Sequence, residues 1–202
     1  MSRLKLGIYG GTFSPPHLGH VLAAKSFLDD INLDKLIIMP DFIPPHKNEY
    51  GAASAEDRLE MCRIAFRNIP RTEISDFEII RRGTSYTYLT LEVFSSDDVD
   101  LYFLCGTDMF LSIDTWKCPK RIFELATICY VRREDDCDND YLIDEKIKFY
   151  IDNFSARIIK INHAPYVASS TDLRESIAKR SGLSDEIHEE VYKYIKKRGL
   201  YQ

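Results

Sequence analysis

The chain has 202 residues, 45% of them hydrophobic, and a formal charge of −5. That balance excludes a disordered chain and suits one domain over residues 1–202 with a sizeable core. It is mildly acidic without a long Lys/Arg run and so gives no footprint for nucleic acid. No apolar run approaches bilayer length, so neither nucleic acid nor membrane is an expected partner, and the Met-Ser-Arg-Leu-Lys-Leu start, leading into a strand, points to the cytoplasm. The five cysteines (Cys62, Cys105, Cys118, Cys129, Cys137) contain no Cys-x-x-Cys pair, which argues against a disulfide framework or a zinc site.

Leu4 to Tyr9 is apolar and β-leaning, and it runs into Gly10-Gly11-Thr12-Phe13-Ser14-Pro15-Pro16-His17-Leu18-Gly19-His20. Gly10 and Gly11 predict a bend that lets backbone approach a ligand, and Pro15-Pro16 stiffens entry into a helix near His17. A helix start offers free N–H groups and partial positive charge, which suit phosphate. His17 and His20 share a helical face, and Gly19 keeps the space between them clear. Taken alone, the His-x-Gly-His tetrad also fits a turn that caps the helix. No third ligand stands at metal spacing, so no protein-bound metal is expected.

Val21, Ala24, Leu28 and Ile31 keep helical spacing, and Lys35 to Met39 is a second strand, completing a β-α-β unit. Parallel neighbours joined by a helical crossover predict an α/β, Rossmann-like three-layer domain, its mostly parallel sheet flanked by helices and its ligands beyond the strands' carboxyl ends. Pro40 to Lys47 forms a proline-stiffened loop ending in His46 and Lys47, which read alone could be merely solvated. Ala52 to Asn68 is a helix with Ser54 as N-cap and a Leu59, Cys62, Ala65, Phe66 stripe; Arg58 and Arg63 are expected on its solvated side, with a site contact left open as the alternative.

Thr72 to Ile80 reads as an edge strand, although Ile74 is out of phase with Phe77 and Ile79. Gly83 to Thr87 opens a helix carrying Leu89, Val93 and Phe94, with Ser85 or Thr87 as candidate cap. Leu101 to Cys105 is a buried parallel strand followed by Gly106-Thr107-Asp108, where Asp108 could serve a site, cap a helix, or both. Trp116, the sole tryptophan, suits a core as well as a ligand. Thr127 to Val131 is a strand ending in Arg132-Arg133, followed by an acidic loop over residues 134–140 that lacks Ca²⁺-loop spacing. Tyr141 to Phe154 is a helix and Arg157 to Ile161 a strand. Ser169-Ser170-Thr171-Asp172-Leu173-Arg174 then starts another helix, gathering hydroxyls and one guanidinium at a positive helix end. Ile187 to Tyr201 closes the chain as an amphipathic helix with Val191, Tyr194 and Ile195 inward, assigned to packing.

The segment from Gly10 to His20 resembles the signature of the nucleotidyltransferase superfamily with the His-x-Gly-His motif, most closely the bacterial nicotinate-nucleotide adenylyltransferases. Ser14 stands where that family usually has Asp, and His17 argues against the branch that adenylylates phosphopantetheine. The Pro-Pro-His-Lys, Ser-Tyr-Thr, Gly-x-Asp, tryptophan and Ser-Ser-Thr-x-Leu-Arg segments are similar to that family's too. The resemblance implies adenylyl transfer from ATP to nicotinate mononucleotide, giving deamido-NAD and pyrophosphate in NAD biosynthesis. It implies catalytic His17 and His20, and an ATP site that adds Gly10, Gly11, Thr12, Phe13, Gly106, Asp108, Ser169, Ser170, Thr171 and Arg174. His46, Lys47, Tyr86, Thr87, Trp116 and Arg133 would hold the mononucleotide, with Mg²⁺ carried by ATP. The alternatives are another phosphorylated acceptor, such as nicotinamide mononucleotide, or an inactive nucleotide-binding regulator. Oligomeric state is left open.

Overall fold

The computed structural model describes residues 3–45, 53–132, 140–163, 166, 169–179 and 185–202. It is built on a six-stranded, wholly parallel sheet in the order β3-β2-β1-β4-β5-β6. The strands are β1 (Leu4–Gly11), β2 (Lys35–Pro40), β3 (Thr72–Ile74), β4 (Val99–Gly106), β5 (Ala126–Val131) and β6 (Ile158–Lys160). The helices are α1 (Leu18–Ile31), α2 (Ala55–Phe66), α3 (Phe77–Arg81), α4 (Thr87–Phe94), α5 (Thr107–Phe110), α6 (Pro119–Leu125), α7 (Asp140–Phe154), α8 (Ser170–Ala178) and α9 (Glu189–Arg198). This is the Rossmann strand order. The chain winds outward from β1 and then returns to β1's other side as β4, leaving a crevice where their carboxyl ends diverge.

Strand pleating divides the core between the two faces of the sheet. Tyr9, Leu36, Ile38, Leu104 and Cys129 face one cluster with Phe27 and Leu28 of α1, Phe66 of α2 and Val191 and Ile195 of α9. Leu6, Ile8, Ile37, Met39, Phe103 and Ile128 face the other with Leu91 of α4, Phe123 of α6 and Tyr150 of α7. Full burial of each large apolar side chain stabilises the fold by about 1.5–3 kcal/mol relative to exposure. Gly7 is part of this packing, since a Cβ there would collide with Leu33 Cδ1.

Three expectations are corrected. The edge strand ends at Ile74, because Ser75 N–H closes the pairing with Ile38 O at 3.0 Å and the Ser75 hydroxyl accepts from Phe77 N–H at 3.2 Å. The backbone then turns into α3, which buries Glu78 and Ile79. Gly10 and Gly11 do not make the bend: they are paired strand residues opposite Met39 and Pro40, and the left-handed residue is Phe13, with φ 48°. On α4, Thr90 and Leu91 are buried and Phe94 packs against the core, while Val93 is exposed. Among the described residues no helix is long and apolar enough to cross a membrane.

Candidate active site

A left-handed conformation costs a non-glycine residue about 1–2 kcal/mol. Phe13 offsets this by burying its ring edge-on to Tyr9 and Phe66, with centroids at 5.4 and 5.8 Å. The same ring stands 5.0 Å from that of His20 and backs it from the core. His17 is the N-cap of α1, and its backbone N–H donates to His20 Nδ1 at 3.2 Å. With Nδ1 accepting, a neutral His20 carries its proton on Nε2, so that edge of the ring is a donor. The two imidazoles lie nearly face to face, with centroids 3.7 Å apart and planes tilted by 30°. Gly19 leaves room for this arrangement: a Cβ would stand 3.0 Å from both His17 Nδ1 and Tyr166 Cδ1, and one of those rings would have to shift. The helix start is less open than expected, because Leu18 N–H is taken by the carbonyl of Glu186 at 2.7 Å.

The second phosphate-type segment docks directly on this turn. Ser169 caps α8, accepting from the Thr171 and Asp172 amides at 3.2 and 3.4 Å. Ser170 Oγ donates to Pro15 O at 3.0 Å; Arg174 donates to Ser14 O at 2.8 Å and to Thr171 Oγ1 at 3.2 Å. A shallow depression beside the histidines is lined by His17, Gly19 and His20 together with Val131, His163 and Tyr166. Burial holds the His163 imidazole below its ordinary value of 6.5, and its Nδ1 is 3.2 Å from Ser26 Oγ.

The base of the turn is held by a residue expected in solvent. Arg58 is 1% exposed. Its guanidinium donates to Thr12 O (2.8 Å), Asp41 Oδ1 (2.9 Å), Asp41 O (2.7 Å), Phe42 O (3.2 Å) and Ala53 O (3.3 Å). Thr12 Oγ1 donates to the other Asp41 oxygen at 2.8 Å. Burial of this charge is tolerated because its donors are satisfied and an opposite charge lies beside it. The sequence held the signal: positions 58, 62 and 66 share a face of α2, so Arg58 belongs to the stripe of Cys62 and Phe66. Arg63 does face solvent, paired with Glu60.

The C-terminal segment also reaches the turn. Tyr201 Oη is 2.9 Å from Ser14 Oγ, which accepts from Ala53 N–H at 3.3 Å; burial pushes the Tyr201 phenol up to about 12. Val191 and Ile195 are fully buried as expected, while Tyr194 is half-buried and donates through its hydroxyl to Asp57 at 2.8 Å.

Of the remaining candidates, Trp116 and α4 pack on the opposite face of the sheet, while Gly106 and Asp108 stand at the carboxyl end of β4. Gly106 ends β4 and caps α5 through its backbone, leaving Asp108 exposed in the first turn rather than at the cap. Tyr86 is the N-cap of α4 and Thr87 its first residue, and no side chain caps that end. The Ser85 hydroxyl instead accepts from Phe42 N–H at 2.9 Å. Trp116 is 8% exposed, edge-on to Phe103 at 6.3 Å, with its indole N–H donating to Ser112 Oγ at 3.3 Å. A ring stacked by a ligand must bare one face, so stacking would require Trp116 to leave this packing. His46, Lys47 and Arg133 lie outside the described residues. Arg132 pairs with Asp140 at 2.6 Å.

Residues 8–176 match the cytidylyltransferase-like family. A probable nicotinate-nucleotide adenylyltransferase of Desulfatibacillum aliphaticivorans is 36% identical, with 98% of this chain and 100% of the relative aligned. One from Clostridium acetobutylicum is also 36% identical, covering 98% of each. The chain belongs to the nicotinate-nucleotide adenylyltransferase family. The fold agrees with solved members: Plasmodium falciparum nicotinic acid mononucleotide adenylyltransferase complexed with NaAD superposes with a TM-score of 0.77 at 20% identity, over 98% of this chain and 97% of that one. Its complex with APC gives 0.75 at 19% identity and the same coverage. Two imidazoles, several hydroxyls and a guanidinium thus gather at one turn, donors of the kind that suit an anion. Among the described residues no three His, Cys, Asp or Glu side chains are placed to hold a metal.

Proposed function

We propose that this protein transfers the adenylyl group of ATP to nicotinate mononucleotide, forming deamido-NAD and releasing pyrophosphate, in the cytoplasm. The observation that carries this reading is the junction of the two phosphate-type segments, with Ser170 and Arg174 hydrogen-bonded to the carbonyls of Pro15 and Ser14 beside the paired histidines. A triphosphate lying along that junction meets donors at both ends. The family relatives support the substrate pair through their names.

The acceptor phosphate is already an anion at neutral pH, so its attack on the α-phosphorus needs no general base. The chain's contribution is to place the reactants in line and to offset the charge that grows on the departing pyrophosphate. His20 presents its Nε2–H donor there, held by the His17 amide, and His17 stacks beside it. Arg174, Thr171 and Ser170 take the pyrophosphate end, with Ser169 fixing the first turn of α8. Mg²⁺ arriving with ATP would supply charge neutralisation on the phosphates beside these donors. On the acceptor side, the Tyr86 N–H goes to Thr84 O at 3.1 Å, and the first turn of α4, from Thr87 on and without a side-chain cap, is the proposed donor for a ring carboxylate. His46, Lys47 and Arg133 are proposed for its phosphate by family resemblance alone.

The test is a pyrophosphate-release assay with ATP and either the acid or the amide mononucleotide. Turnover with the acid is expected. Preference for the amide would reassign the acceptor, and no turnover with either would leave a nucleotide-binding protein without catalysis.

A further inference from the structure

A buried polar chain on the acceptor side has no part in the roles assigned so far. Glu78, on α3, is 6% exposed, as is Ser85. The Glu78 carboxylate accepts from Thr90 Oγ1 on α4. Burial pushes it above the usual carboxylate range, and hydrogen bonds from Thr90 and then Ser85 pull it part-way back. Ser85 in turn accepts from Phe42 N–H at 2.9 Å and donates its own N–H to Ile43 O at 2.9 Å, while Thr84 and Ile43 form a parallel bridge. Arg81 Nη2 donates to Thr84 O at 2.7 Å, bracing the turn at Arg82 and Gly83, both of which have positive φ. The segment that receives these bonds, residues 41–43, is the one Arg58 ties to Thr12.

We propose that Ser85 and Glu78 are positioning residues for the acceptor: they fix the Tyr86–Thr87 start of α4 against residues 41–43 and so set affinity for the pyridine mononucleotide without touching it. This rests on the function proposed above. Both side chains are closed off from solvent and hydrogen-bonded within the protein. Each leads to a backbone segment adjoining a substrate element: Ser85 directly precedes Tyr86, and Thr90 lies one turn into the same helix. Through residues 41–43 the chain of bonds ends on the histidine turn, so the spacing between acceptor and triphosphate is built into the protein before either arrives. Loss of such preorganisation falls on the substrate whose binding elements are released.

The experiment measures KM for nicotinate mononucleotide, KM for ATP, and kcat in the wild type and in Ser85→Ala, Glu78→Ala and Glu78→Gln. The two alanine variants should raise the acceptor KM by about three- to tenfold, the worth of one net hydrogen bond, with the ATP KM within about twofold. Glu78→Gln keeps an oxygen for Thr90 and should restore most of the acceptor KM. Ser85→Ala removes a single oxygen, so it also permits a fold-independent readout: faster amide exchange at Phe42 with the rest of the sheet unchanged. Acceptor and ATP KM moving together, or a loss confined to Tm and active fraction, would overturn the proposal. A wild type that turns over while the alanine variants keep its acceptor KM refutes this inference alone; a wild type inactive with every mononucleotide refutes the proposed function and this with it.

Discussion

Arg174 donates through Nη1 to the carbonyl oxygen of Ser14 at 2.8 Å, across 160 residues of sequence. The bond aligns the guanidinium with the turn that carries the two histidines, and its Nη2 leans on Thr171 Oγ1. The fork geometry lets one side chain hold a backbone carbonyl while keeping other donors for an anion, which a lysine cannot copy. Arg174→Lys should therefore lower kcat by about 10²-fold, within the range for losing one transition-state donor, with Tm nearly unchanged. Steady-state kinetics beside a thermal melt check this.

Gly19 and His17 are in a similar relation of space rather than bonding. A Cβ at residue 19 would sit 3.0 Å from His17 Nδ1, tight enough to displace the ring or Tyr166. Gly19→Ala should fold and yet lose about tenfold or more in kcat, because small misplacements of a reacting group are costly. His20→Ala, which removes the donor itself, should lose about 10²- to 10³-fold. If Gly19→Ala keeps wild-type kcat, the placement of the His17 ring is irrelevant to turnover.

Arg58 and Asp41 form an ion pair with side chains 2% and 11% exposed. Arg58→Met would leave the buried Asp41 carboxylate without its counter-charge, keeping only the Thr12 hydroxyl, and would remove the guanidinium donors to the carbonyls of Thr12 and Phe42. The expected loss is about 3–5 kcal/mol, seen as a Tm lower by about 10 °C. A melt within about 2 °C of wild type would mean that the carboxylate finds water or another partner.

The Glu78 carboxyl gives a pH test. Burial, the largest cause, raises it above the ordinary 4.5; Thr90, Ser85 and Arg81 oppose the shift and Asp41 adds to it. A folded value above the unfolded one means the protonated carboxyl contributes stability that is complete below about 4.5 and is lost as pH rises through the folded value. Glu78→Gln has no such loss. The Tm difference, variant minus wild type, should grow as pH is raised from 4.5 and then level off. A constant difference across that range would refute the shift.

Much of this was legible from periodicity. β1, α1 and β2 follow their apolar patterns to within two residues, and Ser54 caps α2 as read, because local hydrogen bonding and burial on one face decide those elements. The convergence of Ser170 and Arg174 on the histidine turn follows from motifs that end at one sheet edge. Arg58 was hidden because an arginine on a helix is expected in water, and only the fivefold set of acceptors supplied by residues 12, 41, 42 and 53 makes its burial favourable. The stop at Ser75 depended on one hydroxyl choosing the Phe77 amide, and the left-handed Phe13 on tertiary packing that no local pattern encodes.

The hydroxyls of Ser14 and Tyr201 meet across 187 positions. During synthesis the first β-α-β unit leaves the ribosome long before residue 201 exists, so the loop at Ser14 must wait for α9 to dock before that partner arrives. Contacts of such long range form late in folding. The last residues to be made are thus the ones that secure an early loop, and an injury near residue 201 would be felt at residue 14.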